Sequence, residues 1–224
     1  MRLRRSIAPL AVAGLVALAG CGSDDSESTA SDPAPTDGVS CSYEGDGAGA
    51  AKEVEPPPTT ATASGDVEAT IATTAGDLGI TLDADSAPCT VNSFLSLADQ
   101  GYFDDTVCHR MTTAGILVLQ CGDPSGSGSG GPGYSFDDEL SGDETYPAGT
   151  LAMANAGPGT NGSQFFVVYG DTQLPAAYTV FGEVDADGVA AVEKVAEGGV
   201  DDANGPGDGH PNDEVRIESV TVAE

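Results

Sequence analysis

Arg110, Asn155 and Gln164 are the residues of this chain whose types invite chemistry. Arg110 sits in the strand-like run DTVCHRM of a chain that has few cations: 7 Lys and Arg against 36 Asp and Glu, a formal charge of −29. Arg2, Arg4 and Arg5 crowd the start, which leaves Lys52, Arg110, Lys194 and Arg216 for the remainder. An arginine stays charged and donates from a rigid fork, so one set among apolar neighbours suits the binding of electron density that develops in a transition state. Asn155 and Gln164 lie in LAMANAGPGTNGSQFF, between two strand-like ends. Amides in such places need partners, which turns of the loop or a bound ligand can supply. A positioned cation with binding amides needs no nucleophile, metal or proton relay.

Other chemistries fall away. Gly126, Gly128 and Gly131 fit G-x-G-x-x-G, but Pro132, Gly133 and Tyr134 follow where a phosphate site needs a helix start or a Lys-Ser/Thr pair. The glycines read as tight turns. No CxxC is present, and His109 and His210 stand at no ligand spacing with the thiols, so no metal and no cofactor is expected. The excess of acid repels polyanions and excludes nucleic acid as a partner. Asn161-Gly162-Ser163 reads as turn chemistry. His109 should face away from Arg110 on its strand, in a structural role.

These residues need a frame of strands. VEATIATT alternates Val67, Ala69 and Ile71 with polar neighbours, and LGITLD follows after a turn, a hairpin pattern. Val91, Phe94, Leu95 and Ala98 follow the helical i, i+3, i+4, i+7 spacing between Pro88 and Gly101. DTVCHRM, GILVLQCGD, TLAMA, QFFVV, YTVFGEV and EVRIESVTV read as further strands, and Val189 to Ala196 as a second helix. About eight strands and two helices, with the strands contiguous, argue against a βαβ repeat and for an antiparallel barrel or sandwich.

The chain ends belong to another story. MRLRRSIAPLAVAGLVALAGC has a basic start, an apolar run from Ile7 to Ala19 and small residues before Cys21. The run is short of the roughly 20 residues a membrane span needs, so residues 1–20 read as an export signal. Residues 21–65, rich in Ser, Thr, Pro and Asp, read as a disordered tether, interrupted by the island VSCSYE. The domain is expected over 66–224. Cys41, Cys89, Cys108 and Cys121 favour two disulfides in an oxidising compartment over a metal site.

Taken together, CHRM, LQCGDPSGSGSGGPGYSF, MANAGPGTNGSQFF and VFGEV resemble the cyclophilin family of peptidyl-prolyl cis-trans isomerases, from about Val67 to Val222. The resemblance implies a mainly β fold, a closed eight-stranded antiparallel barrel capped by two α-helices, with a groove for proline-containing peptides and for unfolded or folding proteins. It implies catalytic roles for Arg110, Gln120 and Asn155, and peptide contact by Leu117, Val118, Ala154, Gln164, Phe166, Leu174 and Tyr178. The Leu-Ala-Gly-Cys ending resembles the bacterial lipobox, which makes Cys21 the lipidated residue and implies anchoring to the outer face of the cell membrane; the protein is expected to be a monomer. Three departures bear on the pocket. Leu117 and Val118 stand where many members have Phe-Met, Tyr178 where they have a histidine, and the chain has no Trp. A binding module that holds proline segments with little turnover is therefore the alternative. Sharing a face between Arg110 and Gln120 turns Cys108 and Cys121 to opposite faces by alternation. That argues against a Cys108–Cys121 bond and pairs Cys41 with one of the other three.

Overall fold

The computed structural model describes residues 38–223; the segment read as an export signal, Cys21 and the rest of the chain up to residue 37 lie outside the described residues, as does Glu224. The strands are β1 (Val39–Ser40), β2 (Glu44–Ala50), β3 (Thr60–Ala61), β4 (Asp66–Thr73), β5 (Leu78–Asp83), β6 (Thr106–Val107), β7 (Arg110–Thr112), β8 (Val118–Cys121), β9 (Pro132–Ser135), β10 (Thr150–Met153), β11 (Phe165–Val168), β12 (Val180–Val184), β13 (Asp208–Gly209) and β14 (Arg216–Val222). Two helices, α1 (Pro88–Asp99) and α2 (Ala186–Glu197), complete the fold.

Period-two patterning sets the sheet. In the β4–β5 hairpin Ala69 faces Ile80 and Ile71 faces Leu78, and all four are buried, so a one-residue slip would turn them into water. Helix α1 starts on Pro88, where a missing N–H costs nothing, and Glu139 accepts from the Cys89 and Thr90 N–H groups at 2.9 and 2.8 Å. Its apolar stripe, Val91, Phe94, Leu97 and Ala98, covers the sheet's concave side. Phe94 meets Phe103, Phe165 and Phe181 at ring-centroid distances of 5.1, 5.7 and 5.6 Å. Asp185 caps α2 by accepting from Gly188 N–H at 2.7 Å.

The mainly β, two-helix architecture matches the sequence reading, but the closed eight-stranded barrel does not. Ten strands form one open, curled sheet in the order β13-β7-β8-β11-β10-β12-β5-β4-β14-β6. The reason lies in DTVCHRM, which splits into β6 and β7. β6 pairs with β14 at one end of the sheet and β7 with β8 near the other. Between them the Cys108 N–H donates to the Val215 carbonyl at 2.9 Å, on the β14 side, and strict alternation is lost. The same break overturns the expectation about the cysteines. Cys108 turns into the core beside Cys121, and the two are bonded.

A second correction concerns residues 38–65, assigned from composition to the tether. They belong to the fold. Cys41 is bonded to Cys89, consistent with the expected use of Cys41. Tyr43 packs edge-on against Tyr134 and Phe136, with centroids 5.5 and 5.6 Å away, and its hydroxyl donates to Cys89 O at 2.8 Å. The Lys52 ammonium donates to the Gly101 and Asp104 carbonyls at 2.5 and 3.2 Å. Three anchors of this kind offset the ordering entropy of an otherwise small and polar segment, and average composition conceals them.

Candidate functional site

The sheet register puts the site together. Arg110 of β7 pairs with Gln120 of β8, Gln120 with Phe166 of β11, and Phe166 with Ala152 of β10. Direct cross-strand partners share a face, so the four form a row across the convex side, opposite the α1 core. A second, smaller apolar cluster of Val118, Tyr146, Ala152, Phe166 and Val168 underlies that row. Above it opens a pocket of about 190 Å³ lined by Arg110, Ile116, Val118, Gln120, Ala154, Asn155, Phe166, Leu174 and Tyr178. Phe166 forms the floor. Tyr178 meets it edge-on at 5.6 Å and 85°, which makes a flat apolar wall without any Trp.

Arg110 is held rather than free. Its Nε and Nη2 donate to Asp208 Oδ1 and Oδ2 at 2.8 and 2.7 Å, a bidentate pair, while Nη1 donates to Gln120 Oε1 at 3.3 Å. The bonds to Asp208 push the Arg110 pKa up, and the same bonds hold the Asp208 carboxyl below its ordinary range. Asn204 Nδ2 adds a bond to Asp208 Oδ1 at 3.2 Å, and β13 pairs Asp208 with Thr112 of β7. From Arg110 a relay of amides continues. Gln120 Nε2 donates to Gln164 Oε1 at 2.8 Å, and Gln164 Nε2 donates to the Gly128 and Gly130 carbonyls at 3.1 and 2.9 Å. The glycine loop at the far end is organised by Asp123, which accepts from the Ser125, Gly128 and Gly130 N–H groups. Burial raises the Asp123 pKa, but those bonds outweigh it and hold the carboxyl low. His109 is buried under the loop near Gly128, and desolvation chiefly holds its pKa below the ordinary histidine value.

Most of the expected residues meet here: Arg110, Gln120, Val118, Ala154, Asn155, Phe166, Leu174 and Tyr178 all line the pocket. Three expectations need correction. Leu117 faces away and packs over Gly170, because adjacent strand residues cannot share a face. Ile116 takes its place, and strict alternation back from Gln120 through Val118 would have selected it. The Asn155 amide does not reach for a ligand: Nδ2 donates to Ala177 O at 2.9 Å and Oδ1 accepts from Gly157 N–H at 3.2 Å. It ties the Tyr178 wall to the 155–160 loop, and what faces the groove is the chain at Ala154–Asn155. Gln164 likewise spends its amide on the glycine loop rather than on a peptide.

Two contributors escaped the sequence reading. The Tyr146 hydroxyl lies 3.2 and 3.1 Å from the Pro175 and Tyr178 carbonyls and accepts from Tyr178 N–H at 3.1 Å, which fixes the wall. Asp208 was one acid among 36, with nothing local to mark it. Its substitution has a definite expected outcome. Asp208→Asn is expected to lower kcat about five-fold with KM little changed, roughly 1 kcal/mol for a half-exposed charge-assisted pair. Because the folded Asp208 pKa is depressed, the ion pair is complete above the ordinary Asp value of about 3.9 and is lost as pH falls through the lower folded value. The wild-type kcat should therefore hold steady from pH 8 to about 4 and drop below, and steady-state rates across that range should show no such drop in Asp208→Asn.

Comparison with known proteins bears on this geometry. The sequence profile described as "Cyclophilin type peptidyl-prolyl cis-trans isomerase/CLD" matches residues 68–222. The chain is 50% identical over 205 residues to a probable peptidyl-prolyl cis-trans isomerase B of Mycobacterium leprae, covering 85% of this chain and 69% of that one. It is 42% identical over 177 residues to peptidyl-prolyl cis-trans isomerase A of Mycobacterium tuberculosis, covering 69% and 91%. Among solved structures, a Cryptosporidium parvum cyclophilin-type peptidyl-prolyl cis-trans isomerase crystallised in the presence of the dipeptide Ala-Pro superposes with a TM-score of 0.60 at 32% identity, covering 70% of this chain and 99% of that one.

Proposed function

Since this chain belongs to the cyclophilin-type peptidyl-prolyl cis-trans isomerases, we propose that it turns Xaa–Pro bonds in proteins outside the cytoplasm, as a monomer held to the membrane by a lipid on Cys21. The activity is the family's: rotation about the bond before proline. The residues that carry it here are the Arg110–Gln120–Phe166 row and the pocket it lines.

Rotation must break amide resonance, a barrier of roughly 18–20 kcal/mol for an ordinary peptide bond. At the twisted geometry the prolyl nitrogen becomes pyramidal and its lone pair is free. A donor that meets that lone pair binds the twisted state and not the planar ones, which is the condition for acceleration. Arg110 Nη1 is the donor that the Asp208 grip leaves directed at Gln120 and the pocket, and it remains charged throughout. Phe166, Val118 and Leu174 hold the proline ring while the chain preceding it turns along Ala154–Asn155. No proton changes hands, so the reaction needs no base.

Export and anchoring are supported by the leader sequence and by the two disulfides, Cys41–Cys89 and Cys108–Cys121, which persist in oxidising compartments. Clients are then secreted or surface proteins in the course of folding. Two measurements test the reading. Isomerisation of an Ala-Pro peptide that proceeds no faster with the protein than without it would rule out the catalytic part and leave the binding module. Detergent-phase partitioning and intact mass of the cell-derived protein test the anchor: wild type should carry a lipid, and Cys21→Ala should be found in the aqueous phase without it.

A further inference from the structure

A second, larger cavity of about 600 Å³ adjoins the proline pocket and shares Gln120, Ala154 and Asn155 with it. One of its walls comes from an unexpected part of the chain. Residues Asp46, Ala48 and Gly49 line it, from the strand β2, which lies outside the stretch 68–222 matched to the family. β2 pairs with β9, but the register is broken between Gly45 and Ala50, so the four residues between them bulge. Gly47 and Gly49 sit at φ +76° and +81°, backbone that other residues take up only under strain. A bulge next to a functional groove re-aims a side chain, and the one re-aimed here is Asp46. Its Oδ1 accepts from Ala48 N–H at 2.8 Å and Gly49 N–H at 3.3 Å, which fixes the carboxylate on the rim.

Charge makes the arrangement selective. No Lys, Arg or His lines this cavity, and Asp46 is its one charged lining residue. The guanidinium that lines the adjoining pocket, Arg110, is already matched by Asp208. The strap that carries Asp46 is fastened on either side, by the Cys41–Cys89 bond and by Lys52 on the Gly101 and Asp104 carbonyls. We infer that the β2 bulge is a specificity element: Asp46 selects peptides with a cationic side chain, Lys or Arg, close in sequence to the isomerised proline. The two cavities share Gln120, Ala154 and Asn155, so an extended chain advancing about 3.3 Å per residue passes from one into the other. The inference rests on the groove being the proline-peptide site.

The test uses the full chain and a peptide series in which Lys or Glu is scanned through the three positions on either side of an Ala-Pro unit, with an all-Ala peptide as reference. At low ionic strength the Lys/Glu ratio of kcat/KM is expected to reach roughly two- to five-fold at one position, the size of an exposed charge pair. It should shrink toward one near 1 M salt, where the Debye length is about 3 Å. In Asp46→Asn the ratio should fall to about one, and in Asp46→Glu it should remain. A wild-type ratio of one at every position, or a ratio unchanged in a folded Asp46→Asn, overturns the inference. Should Asp46→Asn fail to fold, a wild-type ratio insensitive to salt overturns it equally. Failure of the all-Ala peptide to be isomerised at all is a different result, and counts against the catalytic reading instead.

Discussion

Arg110→Ala is expected to lower kcat/KM for a proline peptide about 10²- to 10³-fold, the loss seen when a donor aimed at developing charge is removed. Three features make the effect large. Arg110 is the one cation lining the pocket, and its Nη1 is aimed by the Asp208 grip toward Gln120. Gln120 loses the bond that orients it, and with it the start of the relay through Gln164 to the glycine loop. The twisted amide then has only weaker donors to meet. Stability should change little, because the Arg110 side chain is 32% exposed and its partner Asp208 27% exposed, so the freed carboxylate is taken up by water. Arg110→Lys should recover only a small part, since an ammonium cannot hold the Asp208 carboxylate and face the pocket at once. Isomerase rates together with a thermal melt decide the matter: equal rates for wild type and a folded Arg110→Ala would end this mechanism.

The second large effect concerns stability. Replacing Cys41 and Cys89 together by serine removes a cross-link between residues 48 apart in sequence. Chain entropy assigns such a link about 4 kcal/mol at most. For a domain of this size that corresponds to a fall in Tm of roughly 8–15 °C. The loss reaches beyond the unfolded chain, because the bond holds β1 and Tyr43 against α1, with Tyr43 wedged between Tyr134 and Phe136. Calorimetry of the double variant beside the oxidised wild type measures it. An unchanged Tm would mean that Tyr43 and Lys52 suffice to dock the segment.

How legible was this in the amino-acid order? The hairpin of β4 and β5 and both helices followed from periodicity, because Ile71, Leu78, Ile80, Phe94 and Val192 bury one face of an element with a regular period. The row across the groove was legible through motif resemblance, since Arg110, Gln120 and Phe166 belong to short runs whose order the fold preserves. What periodicity missed lies where regularity stops. DTVCHRM reads as one strand, and only the break at Cys108 reveals that it serves both ends of the sheet and allows the Cys108–Cys121 bond. Asp208 meets Arg110 across 98 residues, a contact without a local signal. Asn155 and Gln164 were correctly singled out as amides in need of partners, but their partners are the protein's own carbonyls. Residues 38–65 show the limit of composition: three anchors in a polar segment are enough to order it.

The use made of the few basic residues has a practical side. Lys52 is spent on two carbonyls, Arg110 on Asp208 within β7, and Arg216 on the Asp105 carbonyl within β14, while Lys194 lies in α2. A protease must draw several residues of extended, unpaired backbone into its cleft; Arg110, Lys194 and Arg216 lie in strands or a helix, and Lys52, which leads into the irregular stretch 53–58, has its side chain tied to two carbonyls that must first let go. The folded domain should therefore resist trypsin for as long as it stays native. Digestion by that enzyme becomes a direct clock for opening of the fold, and trypsin can serve in coupled assays with lysine-bearing substrates without consuming the isomerase.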